Sequence, residues 1–388
     1  MAITSSQDAG TAVRLPASED RSTFAYVALL ALGVLDAAAY SVIAPVAPTL
    51  AAQTGTGPGL IGLLVATFPA GIVIGFALAG SAIRRQRYSA LLLLSLGLLA
   101  AGSLGFAASS SLPGYSMARF VMGLGSGGLW MGVTFSTLQR WPGQEYLCMS
   151  RIFAAYSVGG LLGPAIGALG GVREPFLVYL ALVCLAAVLV AAMPPSRHHP
   201  AFGSDRSALR SPAFRVASAG ILFAVLALGI VEGVLPLHLA ARLDQAQIGL
   251  LYAAMSLVVA VSAALASRFP PRAMLLGAHG LVVLGIGLAA ATGAVPLWIV
   301  GLAIGGLGIG MANTGSIGVL LQGVPTERSV TAIVAWSQVG IVGYLLGPLV
   351  GGTVAQVGGF GLLGVVLLAA AVPVLALGVS LGRGRSAA

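Results

Sequence analysis

Asp36, Glu232 and Arg119 are ionisable side chains set inside long apolar runs. Asp36 is the only charge between Arg21 and Arg84, and Glu232 the only one between Arg215 and Arg242. A charge in hydrocarbon needs water, a partner or a proton. A desolvated carboxylate can take a proton from one side of a barrier and release it to the other. Counted from Phe24, Asp36 lies about 18 Å along a helix axis, close to the middle of a bilayer. Glu232 falls nearer the outer end of its run, where it would serve as a second protonation site or attract cations. Arg119 cannot readily discharge, so it requires water or acidic partners. Its expected task is to favour the ionised form of Asp36 when close and to release it when helices move.

Around these charges stand groups suited to a ligand. Trp130 and Tyr156 offer aromatic surface for a planar or cationic molecule. Asn313 and Gln338 offer hydrogen bonds to a cleft, and His238 offers a ring nitrogen. His279 is a further lone histidine in an apolar run. Nothing suggests a metal or a cofactor. His198 and His199 are adjacent, but no third ligand sits at useful spacing, and Cys148 and Cys184 fall in different environments. The chain also has no GxxxxGK[ST], HExxH or GxSxG sequence, so it does not read as an enzyme, and its energy should come from an ion gradient.

The elements that must position these groups are membrane helices. Apolar residues make up 58 % of the 388 residues and charged residues 7 %, with mean hydropathy +1.01. A soluble chain carries about a quarter charged residues. Charge-free blocks at 88–118, 120–139, 152–172, 175–196 and 245–267 each fit one span, as does 216–241, interrupted only by Glu232. The stretch after Arg21 fits two, broken at 54–59, and the blocks 273–326 and 329–382 fit two each. The total is twelve spans in an all-α integral membrane protein. The expected divisions are a cytoplasmic segment at 1–23, a six-helix bundle at 24–194, a linker at 195–213, a second bundle at 214–382 and a tail at 383–388.

All basic residues are Arg. With the heavy use of Gly, Ala and Leu, this points to a GC-rich bacterial genome. The net charge of +9 does not point to nucleic acid, because the arginines punctuate apolar blocks. With the amino terminus inside, 16 Arg fall on the cytoplasmic side and 3 on the other, counting Arg119 as external. Both termini are therefore placed in the cytoplasm, in a multi-pass protein of the bacterial cell membrane.

The two halves repeat. Gly159, Gly163, Pro164 and Gly167 in the fifth span recur as Gly343, Gly347, Pro348 and Gly351 in the eleventh, each 184 residues later. Both spans run in the same direction, so the halves are parallel repeats about an axis along the membrane normal. Two bundles facing a central cleft imply alternating access, and one chain suffices for a path. Glycines four apart permit close helix approach and proline permits a bend. The motif is expected to give close packing where the bundles meet.

The chain resembles the major facilitator superfamily over essentially its whole membrane region. Its closer resemblance is to the twelve-span drug:proton antiporters and their vesicular amine transporter-like branch. GGLLGPAIGALG at 159–170 resembles the antiporter motif, and ARFVMGLGSG at 118–127 the fourth-span motif, with Arg119, Gly123 and Gly125 on matching positions. LDAAAYSVIAPVAP at 35–48 matches the acidic residue and exit prolines Pro45 and Pro48, and VEGVLPLHL at 231–239 an acid before Leu-Pro. The resemblance implies a proton-coupled efflux transporter that exports hydrophobic, cationic small molecules. The alternative is a uniporter or proton symporter for a small metabolite. One departure stands out: Arg84 occupies the position of the usual Asp in the loop after span two. Glu145 and Glu327 are the acids on the same side that could replace it as a latch.

Overall fold

Proline and glycine cut the apolar chain into helices that each bury one face against a neighbour. The computed structural model describes residues 20–141, 144–193, 206–266, 268–324 and 326–383. Residues 1–19, 194–205 and 384–388 of the expected end segments and linker lie outside the described residues, as do the side chains of Glu145 and Glu327.

The first six spans are Asp20–Ser41 continued by Ile43–Thr54, then Pro58–Arg84, Tyr88–Ala108, Leu112–Arg140, Glu145–Gly167 and Glu174–Ala191. A short 3-10 turn, Arg206–Arg210, precedes the second six. These are Pro212–Gly233 continued by Leu235–Leu239, then Gln245–Ala266, Pro271–Ala291, Val295–Gly323, Thr326–Gly358 and Leu362–Arg383. The twelve spans form two six-helix bundles. Proline sits in the first turn of spans two, four, six, seven, nine and ten, where its missing amide costs no hydrogen bond. Ser111 and Ser211 cap spans four and seven by accepting from Gly114 N and Phe214 N.

Span five departs from its charge-free block, beginning at Glu145 and ending at Gly167. Charges at a helix end can reach water, so the absence of charge marks the hydrocarbon core better than the helix. Gly170 and Gly171, both at positive φ, turn the chain after it. Arg84 closes the last turn of span two, where a cation favours the helix C-terminus.

Among the described residues, nine helices are long and apolar enough to cross a membrane on their own. Spans four and five are not among them, although they are as long, and span twelve counts as a shorter apolar helix over Leu362–Ala376. Leu78, Leu94, Val188 and Leu250 are each more than 60 % exposed, the outward apolar surface expected of a protein solvated by lipid.

Inside the bundles, glycine sets the spacing. A methyl added at Gly123 or Gly127 of span four would collide with the Phe68 or Ile72 carbonyl of span two. The duplicated motif works in the same way within each bundle. Gly159, Gly163 and Gly167 face Val34, Ala38 and Val42 of span one, and Gly343 and Gly347 face Leu222, Leu226 and Gly229 of span seven. The expectation that these glycines pack the two bundles together is therefore corrected. They seat spans five and eleven on the first helix of their own half. The prolines reach across instead: Gly62 of span two lies against the Pro348 carbonyl, and Gly249 of span eight against the Pro164 carbonyl.

These cross-bundle contacts occupy the half of the molecule away from the chain termini, here called the far face. Thr49 with Gln245 and Gly59 with Gln356 add hydrogen bonds there.

Candidate functional site

Span one is interrupted at Val42, because Pro45 removes the amide that would bond the Ser41 carbonyl. Asp36 sits before that interruption and is 2 % exposed. Its Oδ2 accepts the Tyr156 hydroxyl of span five at 2.9 Å, whereas Oδ1 is buried with no hydrogen-bond partner. Ser126 of span four lies beside the same carboxyl. Trp130, one turn beyond Ser126, packs edge-on against Tyr156 with ring centroids 5.2 Å apart and against Phe153 at 5.5 Å. Phe153 in turn meets Trp336 of span eleven at 6.4 Å. The structure thus brings Asp36, Tyr156 and Trp130 together, and extends their aromatic surface to the opposite bundle.

Arg119 is fully buried, with no path for its head to the interface. Nη1 donates to the Ala39 carbonyl at 2.6 Å and Nη2 to the Tyr40 carbonyl at 3.3 Å. Its guanidinium carbon stands 4.3 Å from the centre of the Phe68 ring. Two of its nitrogens are thus engaged by the carbonyls just before the interruption of span one, while Nε is buried with no hydrogen-bond partner. In this conformation Arg119 does not pair with Asp36, and the acid that shares its electrostatic neighbourhood is Glu232.

Glu232 precedes the matching interruption of span seven, where Pro236 removes the donor for its carbonyl. It is 5 % exposed and its Oε2 is buried without a hydrogen bond. Tyr40, Tyr252 and Tyr344 lie within its electrostatic reach. The rings of Tyr40 and Tyr344 meet across the two bundles at 4.2 Å. The protein therefore holds two buried acids in two settings, one beside Tyr156 and one beside Arg119 and a tyrosine pair.

Other sequence candidates lie elsewhere. His238 is not in the cleft: its Nε2 is 2.8 Å from the Thr292 carbonyl and its ring packs on Trp298 and Phe360, within the second bundle. Gln338 shares an exposed stripe with Val342 and Leu346, four and eight residues on. Asn313 has a buried, unpartnered Oδ1. Ile317, one turn later, packs in the cluster that holds Trp336. His279 is fully buried, with Nδ1 on the Leu275 carbonyl and its ring against Phe223.

Ser126, Tyr40, Phe153, Trp336 and Tyr344 belong to the site and were not singled out from sequence. Spacing carried a signal for some of them. Arg119, Ser126 and Trp130 fall at i, i+7 and i+11, which is one helix face. Tyr40 is one turn after Asp36, and Phe153 one turn before Tyr156. Trp336 and Tyr344 had no such signal, because only the tertiary fold brings span eleven to span one.

The sequence profile of the Major Facilitator Superfamily matches residues 29–337. The chain belongs to that superfamily and is a membrane carrier, not an enzyme. No curated protein gives a significant match. Among solved structures, a D-xylose-proton symporter is 15 % identical with a TM-score of 0.75, covering 92 % of this chain and 96 % of that one. A bacterial homolog of the human lysosomal transporter Spinster, inward-facing and unoccupied, is 16 % identical with a TM-score of 0.69, covering 93 % and 95 %. The human organic anion transporter MFSD10 is 16 % identical with a TM-score of 0.64, covering 93 % and 100 %. At these identities the likeness is one of fold, and none of it singles out the drug:proton antiporters.

Proposed function

We propose that this carrier couples movement of a small organic molecule to a proton bound at Asp36. The observation that carries the reading is the Asp36 carboxyl, buried near mid-membrane with no cationic partner among the described residues, held by the Tyr156 hydroxyl on Oδ2 and with Ser126 beside it. An ionised carboxylate so poorly partnered is costly, and a bound proton or a ligand removes that cost. The ligand sits against Trp130, Phe153, Tyr156 and Trp336. The Trp336 indole N–H and Asn313 Oδ1, both buried and unpartnered, supply a donor and an acceptor.

These neutral hydrogen-bonding groups support proton symport, or uniport, of a small metabolite, as does the shared fold with a D-xylose-proton symporter. Export of a hydrophobic cation in exchange for protons is the second reading. It is supported by the two buried acids facing an aromatic surface and by the Gly-Pro motif of spans five and eleven. In either case Arg119 steadies span one, and Glu232 is a second proton or cation site. With the termini in the cytoplasm of a bacterial cell, the closed far face makes this the inward-facing state.

The test is a purified, reconstituted protein in vesicles that trap a pH dye. A solute added outside acidifies the lumen if it enters with protons, alkalinises it if it exchanges for them, and leaves the dye unmoved in uniport. Asp36→Asn should silence the dye while solute exchange persists. An unchanged dye response in that variant rejects Asp36 as the proton carrier.

A further inference from the structure

Span five leaves two backbone carbonyls without intrahelical donors, and span eight supplies a donor to each. Pro164 has no amide hydrogen, so the Gly160 carbonyl one turn earlier is freed. Ser256 Oγ donates to it at 3.0 Å. The helix ends at Gly167, whose carbonyl is one of the orphans of a helix C-terminus. Gln245 Nε2 donates to it at 2.8 Å, and at the same distance to the carbonyl of Gly171, which lies in a left-handed turn at φ 68°. The remaining oxygen of Gln245 accepts Thr49 Oγ1 at 2.7 Å, from the end of span one. One side chain of the second bundle is thus satisfied by three groups of the first. Gly249, one turn later, lies so close that a methyl there would stand 2.8 Å from the Pro164 carbonyl.

We propose that Gln245 and Ser256 are positioning residues for alternating access: they cap span five from the opposite bundle, keep the far face closed, and must let go for it to open. No charge takes part. Release exchanges these bonds for bonds to water, so each contributes a small net difference. A latch of that size can set the balance between two states and still break in every cycle. The inference rests on the carrier fold and stands whether or not Asp36 carries a proton.

The test uses the full chain in lipid nanodiscs, with Cys148→Ala and Cys184→Ala and spin labels attached through Ala52→Cys and Ala241→Cys. Both label positions are exposed at the far face. Pulsed electron–electron resonance reads the distance between them. The parent should show mainly the short distance. Gln245→Ala should raise the ratio of long to short by about tenfold, as expected for two or three bonds, and Ser256→Ala by about threefold. Gln245→Glu lacks the amide donors and turns a carboxylate toward two carbonyls, so it should open the face further than Gln245→Ala. Gln247→Ala is the control, since its bonds stay with Asp244 at the start of span eight. Ser256→Ala removes a single hydroxyl and decides the matter if the Gln245 variants do not fold. Parent-like distances in the Ser256 and Gln245 variants, even with lowered thermal stability, would overturn the proposal. So would a Gln247→Ala variant that opens as far as Gln245→Ala.

Discussion

The Tyr156 hydroxyl donates to Asp36 Oδ2 at 2.9 Å, tying the fifth span to the first at the acid in the middle of the latter. The bond supports the carboxyl in its charged form and is replaceable by a ligand. It also connects the acid to the ring that Trp130 packs against. Tyr156→Phe keeps that ring contact and deletes the bond. We expect proton-linked transport to fall by about 2- to 10-fold, the range set by one hydrogen bond between neutral groups, with the protein still folded. Rates of pH-driven uptake in vesicles, matched for protein amount, check this. Equal rates in parent and variant would show that the hydroxyl has no part in coupling.

Arg119 acts on the backbone of span one rather than on Asp36. Its two nitrogens bridge the carbonyls of Ala39 and Tyr40, and its face lies on Phe68. Lysine keeps the charge but has neither the planar fork nor the stacking surface. Arg119→Lys should therefore destabilise the fold by about 1–3 kcal/mol, the worth of a charge-assisted hydrogen bond, and lower the melting temperature in detergent. A melting temperature in Arg119→Lys equal to the parent's would contradict the bridging role.

Much of this architecture is legible in the sequence because a bilayer forbids unpaired charge. Breaks between charge-free blocks separate the spans, and the repeat of Gly-Pro positions pairs the halves. Asp36, Tyr156 and Trp130 stand out for their chemistry, and the fold brings them together. What the sequence hides is direction. A histidine in an apolar run looks the same whether it faces a cleft or, like His238, a neighbouring Trp298 and a loop carbonyl. Gly163 reads as a close-approach site, but nothing local says that its partner is Ser41 of the same bundle. Gln245 escaped notice altogether: it is an ordinary polar residue at a helix start, and its three partners lie 74 to 196 positions away.

Topology is tested by labelling. Cysteines placed at Gln53 and Gly293 lie at the far face, and one at Gly203 falls in the segment between the bundles. In intact cells an impermeant thiol reagent should modify the first two, and Gly203→Cys only after permeabilisation. The opposite pattern would reverse the orientation drawn from the arginines, and with it the inward-facing assignment.

The duplicated glycines allow a sharper test, because equivalent positions meet different obstacles. A methyl added at Gly163 would strike first the Ser41 hydroxyl, a side-chain atom, and then approach the Ala38 carbonyl at 2.9 Å. At Gly347 it would strike the Leu226 carbonyl and stand 2.9 Å from the Gly229 backbone, with no side chain to move aside. Overpacking in a tight core costs about 1–3 kcal/mol, and relief depends on what can yield. Gly347→Ala should therefore lower the melting temperature more than Gly163→Ala. Ser41→Ala should recover part of the Gly163→Ala loss, since it removes the nearest colliding atom. Gly160→Ala, which points into open space, should melt like the parent. If coupling depends on how closely span five seats on span one, Gly163→Ala should also change the proton-to-solute ratio of the molecules that remain folded. An unchanged ratio would confine these glycines to packing. Equal melting temperatures for Gly347→Ala, Gly163→Ala and the parent would mean that the helices separate readily at these points, and the close seating described for spans five and eleven would not hold in the membrane.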